Sequence, residues 1–375
     1  MGILSFFLFV SISSNSYSWP TKEWSVELPT KFGANQAQLE KFLSYSFPEE
    51  MKGTDRSGVR TEGIVVIKDG ILIFEKYASG YAADKRHLAW SITKMLTNAL
   101  AGVAVRKGVW KTSDFVPESK ALRIEHLLQW SSGLDWNETY EYNPLGSSVI
   151  AMLYGGAHFD AGRFVESHPF AATPGQRFNY SSGDSTLMMS ALRRRMSDKD
   201  YENFPWKEIF EPLGMKSAVL ERDAAGTFIG SSYLHASPRD LAKLGLLFLN
   251  DGVWGKKRIL PEGWVYESSR IVPAFRQSAR DRRRMSLSPA AHLWSNAADP
   301  SRGISKPLPD VPEDMIAAMG HWGQSISLLP TERMIVVRVA DDRDHSFSLN
   351  KFLKLLLDSF GPEKNLERIV ERPSP

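Results

Sequence analysis

Hydrophobic and polar residues alternate in different ways along the first third of the chain, and each pattern predicts one element. Apolar residues recur at helical spacing over residues 35–47, which predicts an amphipathic helix. Two β-rich runs over residues 63–80 stand on either side of Asp69-Gly70, a pair that predicts a tight hairpin. Residues 91–107 are apolar nearly all round and are followed by a glycine, so we expect a buried helix there.

The rest of the chain changes from helical patterns back to strand patterns. Residues 109–270 are rich in helix and loop signals. Strand patterns return in residues 321–330 and 333–342, and an amphipathic helix pattern follows at 348–360. Strands at both ends with helices between them predict an α/β (α+β) class. We expect one antiparallel sheet built from both chain ends, flanked by helices, with an inserted helical region.

The composition places the chain in the globular class. Its 375 residues are 42% hydrophobic and 24% charged, which is enough to bury a sizeable core in one large domain or two interleaved ones. The formal net charge of +3 is small for this length, so no nucleic-acid partner is indicated. Cysteine is absent, which excludes disulfides, thiolate metal sites and a cysteine nucleophile. Basic residues cluster from Arg276 to Arg284; an exposed loop is the simpler interpretation, and a lid over a site is the alternative.

The first residues have the features of a leader. An apolar run over residues 3–12 precedes small polar residues, with Ser16 and Ser18 spaced as a signal cleavage site requires. The run is too short to span a bilayer, although the usual basic residue before it is missing. We expect a signal peptide over residues 1–18, one domain over 19–375, no stable membrane span, and a periplasmic or secreted protein. A buried N-terminal strand is the alternative.

Ser91 and Lys94 form an S-x-x-K motif at the start of the buried helix pattern. Residues at i and i+3 share a helix face, so the Lys94 ammonium lies within reach of the Ser91 hydroxyl. A serine becomes a good nucleophile only when something accepts its proton, and burial favours the neutral, basic form of a lysine. A second match, Ser348 to Lys351, lies on the terminal amphipathic pattern without a helper motif, and we interpret it as a solvated helix face.

Two more signals follow that helix in a fixed order. Tyr180 ends an extended segment in PGQRFNYSSGD, and Ser182 stands two residues after it. His321-Trp322-Gly323 opens a strand pattern in GHWGQSISLLP near the end of the chain. A single four-letter match occurs by chance in a chain of this size, but three spaced signals indicate a catalytic constellation.

Through these motifs the chain resembles the serine β-lactamase and penicillin-binding-protein superfamily, whose pattern is S-x-x-K, then Y-x-N, then K-T-G or H-x-G. The resemblance is to the branch that holds class C-type β-lactamases, D,D-peptidases, family VIII-type esterases and 6-aminohexanoate-oligomer hydrolases. It covers residues 63–357 and includes the stretches HLLQWSSGLDW and SPRDLAKLGLLFLNDGVWGKKRILPEGWV. It implies a β-lactamase/transpeptidase-like fold and a serine hydrolase, an esterase or amidase, that uses no cofactor or metal.

The resemblance also implies roles for individual residues. Ser91 would be the acylated nucleophile, Lys94 its proton acceptor and Tyr180 the second proton-transfer group. The oxyanion hole would consist of the backbone N–H groups of Ser91 and Gln324, a pair of donors that stabilises the tetrahedral intermediate. Gly323 would allow the substrate to approach the strand edge closely.

Two departures from the family pattern bear on the substrate. Ser182 stands where an asparagine is usual, and His321 stands where β-lactamases and peptidases commonly have a lysine. An unperturbed histidine is mostly neutral at pH 7, so it grips a substrate carboxylate less well than a lysine. Trp130, Trp136 and Trp322 stand in or near the motifs and are candidates to line an apolar pocket, with core packing as the alternative. We therefore expect a small ester or linear amide as substrate.

Other classes fit less well. An α/β-hydrolase is disfavoured because no G-x-S-x-G elbow occurs, and a zinc hydrolase because H-E-x-x-H is absent. A β-lactamase or D,D-carboxypeptidase acting on peptidoglycan-like substrates is the alternative within the family. A catalytically silent binder of peptide, peptidoglycan or protein is the alternative outside enzymes, but a pure binder has no need for the trio of serine, lysine and tyrosine. The sequence leaves the oligomeric state open.

Overall fold

A computed structural model describes residues 19–48, 56–141, 143–276 and 286–361. The predicted signal peptide (1–18) and most of the basic segment (277–285) lie outside the described residues. The helices are α1 (Gln36–Ser46), α2 (Thr93–Arg106), α3 (Ile124–Leu128), α4 (Ser148–Tyr154), α5 (Ala161–Glu166), α6 (Ser182–Arg193), α7 (Asp198–Pro205), α8 (Glu211–Leu213), α9 (Pro238–Leu249), α10 (Trp264–Ser269) and α11 (Leu349–Phe360). The strands are β1 (Thr61–Lys68), β2 (Ile71–Tyr77), β3 (His87–Leu88), β4 (Val219–Leu220), β5 (Leu234–Ala236), β6 (Val253–Trp254), β7 (Lys257–Arg258), β8 (Ser288–Pro289), β9 (Trp294–Ser295), β10 (Ile316–Gly320), β11 (Gln324–Leu329) and β12 (Met334–Ala340).

Seven of these strands form the main sheet, in the order β2-β1-β12-β11-β10-β9-β8. All neighbours are antiparallel, and β1 from the start of the chain pairs directly with β12 from its end. The predicted hairpin is present: Lys68 pairs with Ile71, and Asp69 and Gly70 both have positive φ. The prediction of one antiparallel sheet built from both chain ends is therefore confirmed.

Alternate residues of β1 point to opposite faces of the sheet, and helices cover both faces. Ile64 and Val66 pack in one apolar cluster with α1 and α11. Val65 and Ile67 pack in the other cluster with α2 and α9. A strand covered on both sides needs apolar residues at every position, which explains why β1 is a continuous hydrophobic run without alternation.

The buried helix α2 lies in the larger cluster, between the sheet and the inserted helical region. Every residue from Thr93 to Ala104 is buried, as the all-round apolar pattern predicted. The helix begins later than predicted because Trp90–Ile92 forms a short 3₁₀ turn ahead of it. Ser91 lies in that turn, and Lys94 lies in the first turn of α2.

The terminal helix α11 explains the second S-x-x-K match. The Ser348 side chain accepts a hydrogen bond from the backbone N–H of Lys351, so it caps the helix. Lys351 is exposed, which confirms its interpretation as part of a solvated face. Within the described residues, no helix has the length and apolar character needed to cross a membrane.

The packing of α11 on the sheet predicts how much this helix stabilises the fold. Phe352 is 0% exposed, and its ring lies 5.1 Å from that of Phe42 in α1. We expect Phe352→Ala to lower the free energy of unfolding by about 3–5 kcal/mol, because it leaves a cavity in a closed core. Asp358→Ala, on the exposed face, removes only a pair with Lys354 and should cost about 0.5 kcal/mol or less. Urea unfolding of both variants checks this; equal effects would contradict the packing described here.

Candidate active site

A strained turn presents Ser91 at the start of α2. Trp90, just before it, has a φ of 49°, a left-handed conformation that costs energy for a bulky residue. Strand β10 packs against this turn, so that a Cβ atom added to Gly320 would lie 2.6 Å from the carbonyl oxygen of Ala89. Only glycine permits this approach, which brings the end of β10 beside the half-buried Ser91.

Lys94 is buried, with its amine in contact with three oxygen atoms. Nζ lies 3.0 Å from Ser91 Oγ, 3.0 Å from Ser182 Oγ and 3.1 Å from the carbonyl oxygen of Ser231. Burial lowers the pKa of Lys94 to about 8, and the negative charge of Glu138 opposes this shift. The amine therefore has access to its neutral, proton-accepting form near neutral pH.

Tyr180 lies on the other side of Ser91, in the extended segment before α6. Lys94 Nζ lies 4.9 Å from the centre of its ring, and its hydroxyl group interacts with the Ser91 side chain. Burial raises the pKa of the phenol, with a further contribution from the charge of Glu138. The structure thus brings together the serine, lysine and tyrosine that the motif order had selected.

Ser182 connects the lysine to a carboxylate. It is the first residue of α6 and is 0% exposed. Its Oγ accepts a hydrogen bond from Lys94 and donates one to Glu138 Oε1 at 2.5 Å. Its predicted contact with substrate stays a prediction, and the structure gives it these two partners inside the protein.

Glu138 is the polar group that sequence analysis missed. Its Oε2 accepts hydrogen bonds from the backbone N–H of Ser182 at 2.9 Å and from Trp136 Nε1 at 2.5 Å. It lies in the loop after the HLLQWSSGLDW stretch, in no motif-like spacing with Ser182 or Lys94. Only the folded arrangement connects it with the lysine.

These residues border an open pocket with a volume of about 340 Å³. Polar groups cluster around Ser91, and apolar side chains form part of the opposite wall. The lining residues are Ser91, Glu138, Tyr140, Tyr180, Ser286, Leu287, Trp294, Met319, Gly320 and His321. The pocket therefore offers a nucleophile, two proton-transfer groups and an apolar surface at one place.

The segment His321-Trp322-Gly323 forms the turn between β10 and β11, with no part of it in a strand. Trp322 and Gly323 have φ values of 58° and 88°, and Gly320 pairs with Gln324 across the turn. The Gln324 side chain forms two hydrogen bonds with the backbone of Ala340. Gln324 lines a neighbouring cavity and is not among the residues that line the Ser91 pocket. Gly320 and His321 line the Ser91 pocket, whereas Gly323 and Gln324 are not among its lining residues, so the roles predicted for Gly323 and for the Gln324 N–H stay predictions.

The His321 side chain lies at the mouth of the pocket. Its ring stacks on Tyr140 with centroids 5.0 Å apart, and Nε2 lies 3.1 Å from Glu141 Oε1. Burial lowers the pKa of His321, while Glu141 opposes the shift. Trp322 points away from this pocket and stacks beneath the Arg343 guanidinium in the neighbouring cavity.

Trp130 and Trp136 are buried next to the site, and Trp294 lines the pocket. Trp130 is 1% exposed, and its ring packs edge-on against Tyr180 at 4.8 Å, so it does not line the pocket as predicted. Trp136 is also buried, and its indole N–H donates a hydrogen bond to Glu138. Trp294 supplies the aromatic wall in their place, through its position on β9. Within the described part of the chain, no group of three or more histidine or acidic side chains is arranged to hold a metal ion.

Comparisons with known proteins bear on the family and the fold of the chain. The sequence profile of the Beta-lactamase family matches residues 47–356. A relative, the 6-aminohexanoate-dimer hydrolase of Paenarthrobacter ureafaciens, is 22% identical over 223 residues, which covers 55% of this chain and 56% of that protein. The chain thus spans a little over half the length of the curated relative it matches.

Two solved structures share the fold. A Bacillus anthracis protein assigned as a 6-aminohexanoate-dimer hydrolase superposes with a TM-score of 0.65 at 18% identity, covering 92% of this chain and 86% of that one. EstCE1, a hydrolase with promiscuous acyltransferase activity, superposes with a TM-score of 0.62 at 14% identity, covering 87% of this chain and 98% of that one. At such identities the likeness establishes the fold alone, and the predicted β-lactamase/transpeptidase-like fold is confirmed.

Proposed function

Because the chain belongs to the Beta-lactamase family, we propose that it is a serine hydrolase that forms an acyl-enzyme on Ser91 and cleaves small esters or linear amides. One observation carries the proposal. The buried amine of Lys94 lies 3.0 Å from Ser91 Oγ at the base of an open pocket. A lysine in that position has a proton-accepting role that a purely structural lysine would not need.

The acylation step follows from these positions. The Ser91 oxygen attacks the substrate carbonyl carbon while its proton passes to the neutral Lys94 amine. Collapse of the tetrahedral intermediate breaks the ester or amide bond, and the leaving group takes a proton from the Tyr180 hydroxyl. The raised pKa of Tyr180 keeps that hydroxyl protonated before this step. In deacylation the Tyr180 phenolate takes a proton from the water that attacks the acyl carbonyl, and Lys94 returns its proton to Ser91 Oγ as the acid leaves.

The oxyanion of the intermediate needs two N–H donors near Ser91. The Ser91 backbone supplies one of them. For the second, the backbone N–H of Gln324 predicted from the sequence remains the first candidate. The backbone N–H of His321 is the alternative, because Gly320 and His321 border the Ser91 pocket. Gly320, which pairs with Gln324, packs closely on the serine turn, and this keeps both candidates near it.

The walls of the pocket support small esters or linear amides over β-lactams. His321, where a family lysine would hold a carboxylate, is paired with Glu141 and has a lowered pKa, so it is a poor cation at neutral pH. Leu287, Trp294 and Met319 add apolar surface. The names of the relatives, an aminohexanoate-dimer hydrolase and a hydrolase with acyltransferase activity, agree with this substrate class.

Acylation of Ser91 is directly measurable. Incubation with an activated ester should add the mass of one acyl group to the protein, and peptide mapping should locate it on Ser91. Ser91→Ala should abolish both the adduct and the turnover. Turnover by the Ser91→Ala protein at the parent rate would overturn the mechanism.

Lys94 and Tyr180 should act as one proton-transfer unit. We expect Lys94→Ala and Tyr180→Phe each to lower kcat by about 10²–10⁴-fold with a smaller effect on KM, because positioned acid–base groups contribute that much. Since the neutral amine is the active form and its pKa is about 8, kcat/KM should fall as the pH decreases below that value. Lys107→Ala, which removes a lysine just after α2 that pairs with Glu208, is the matched control. Losses of less than about tenfold would contradict these roles.

The substrate class is best tested by one panel. We expect kcat/KM for nitrophenyl esters or a linear 6-aminohexanoate dimer to exceed that for nitrocefin and for a D-Ala-D-Ala peptide. An advantage of more than about tenfold for either of the last two, roughly 1.4 kcal/mol in transition-state binding, would favour the alternative function as a β-lactamase or D,D-carboxypeptidase.

A further inference from the structure

We propose that Ser182 and Glu138 are positioning residues that fix the direction of the hydrogen bonds around Lys94, so that the lone pair of the neutral amine faces Ser91. The proposal rests on the proposed function, in which Lys94 accepts the proton of Ser91. Ser182 contacts the lysine directly, and Glu138 acts on the lysine through Ser182.

A neutral lysine amine has two N–H bonds and one lone pair to direct at its neighbours. Lys94 Nζ has three oxygen neighbours within 3.1 Å, from Ser91, Ser182 and Ser231. The Ser231 neighbour is a carbonyl oxygen, which only accepts, so one N–H points there. The remaining N–H and the lone pair are shared between the hydroxyls of Ser91 and Ser182.

The proton of Ser182 decides between these two arrangements. Its Oγ lies 2.5 Å from Glu138 Oε1, and an ionised carboxylate only accepts hydrogen bonds. Ser182 therefore gives its proton to Glu138 and accepts the second N–H of Lys94. The lone pair of the amine then faces Ser91, the one remaining neighbour with a proton to donate. Proton transfer from Ser91 needs this arrangement.

Glu138 is held so that its carboxylate cannot turn away. Two N–H donors, from the Ser182 backbone and the Trp136 indole, meet at Oε2 and leave Oε1 for the Ser182 hydroxyl. Trp136 is itself fixed, because Gly183 packs on its ring so closely that a Cβ there would lie 2.8 Å away. Its carbonyl oxygen also accepts a hydrogen bond from Asn179 Nδ2 at 3.0 Å.

Other titratable groups surround this unit. Tyr140 and Tyr180 both lie close to the charge of Glu138, and Tyr180 also lies beside Ser91. Asp184 in the first turn of α6 interacts with the charge of Glu138, and His292 with that of Lys94. A pH profile therefore reports on the whole cluster, and the test compares variants of one residue under identical conditions.

Glu138→Gln is the sharpest test, because it preserves shape and reverses one hydrogen bond. The two N–H donors at Oε2 favour the amide oxygen in that position, which turns the amide NH₂ toward Ser182. Ser182 then accepts from residue 138 and gives its proton to the lone pair of Lys94, in competition with Ser91. We expect kcat to fall at least about tenfold with little change in KM. The acid limb of kcat/KM should move to lower pH, because the negative charge that raised the pKa of Lys94 is lost.

Matched variants separate positioning from structural damage. Glu208→Gln alters a different carboxylate that lies close to a lysine, Lys107, and should leave kcat and the acid limb unchanged. Ser182→Ala should lower kcat, and Ser182→Thr, which keeps a hydroxyl, should restore part of it. Ser190→Ala, on the same helix α6 and away from the pocket, is its control.

The outcomes are distinct. If Glu138→Gln and Ser182→Ala both retain kcat within about threefold and an unmoved acid limb while Ser91 still acylates, the positioning role is wrong and the proposed function stands. If Glu138→Gln fails to fold by circular dichroism, the Ser182→Ala and Ser182→Thr pair decides the question. If the parent protein shows no adduct on Ser91, the proposed function fails first.

Discussion

The burial of the Lys94 amine is the constraint on which the rest of the site depends. A charged amine in a protein interior is costly, so the fold must give it polar partners or leave it neutral. The partners come from three distant parts of the chain: Ser91 before α2, Ser182 at the start of α6, and the carbonyl of Ser231. The helical region and the segment before β5 therefore have to converge on a single nitrogen atom.

Hydrogen bonds between two threonine hydroxyl groups of α2 and the backbone keep these segments in position. Thr93 Oγ1 donates to the carbonyl of Trp90 at 2.6 Å and accepts from the backbone N–H of Leu234 at 3.1 Å. One turn further along α2, Thr97 Oγ1 donates to the carbonyl of Gly230 at 2.6 Å. These bonds connect the serine turn and the Ser231 segment to the same helix face. The distances around Lys94 thus follow from backbone positions, with little dependence on flexible side chains.

Local sequence patterns predicted the elements and contacts formed by residues close in sequence, but not the contacts between distant segments. Spacing alone predicted three features that depend on residues close in sequence. They are the Asp69-Gly70 hairpin, the all-round apolar helix α2 and the contact of Ser91 with Lys94. The strand pattern around Gln324 did not reveal that β10 ends at Gly320 and that a turn separates it from β11. Glu138 meets Ser182 across 44 residues of chain, a contact that exists only after the loop packs on α6. For Trp130 the sequence left a pocket wall and core packing open, since aromatic character does not distinguish them, and the structure buries its ring against Tyr180.

The opposing effects on Lys94 explain why a half-buried carboxylate accompanies a buried base. Burial alone would lower the pKa of the amine and weaken it as a proton acceptor, since basicity falls with pKa. An exposed lysine would keep its ordinary pKa and remain protonated at neutral pH. The charge of Glu138 counteracts burial and leaves the pKa at about 8, where an amine is both substantially available as the free base and still strongly basic. The hydroxyl of Ser182 keeps that charge one hydrogen bond away from the amine, so that Glu138 tunes the base without forming a direct ion pair that would hold it protonated.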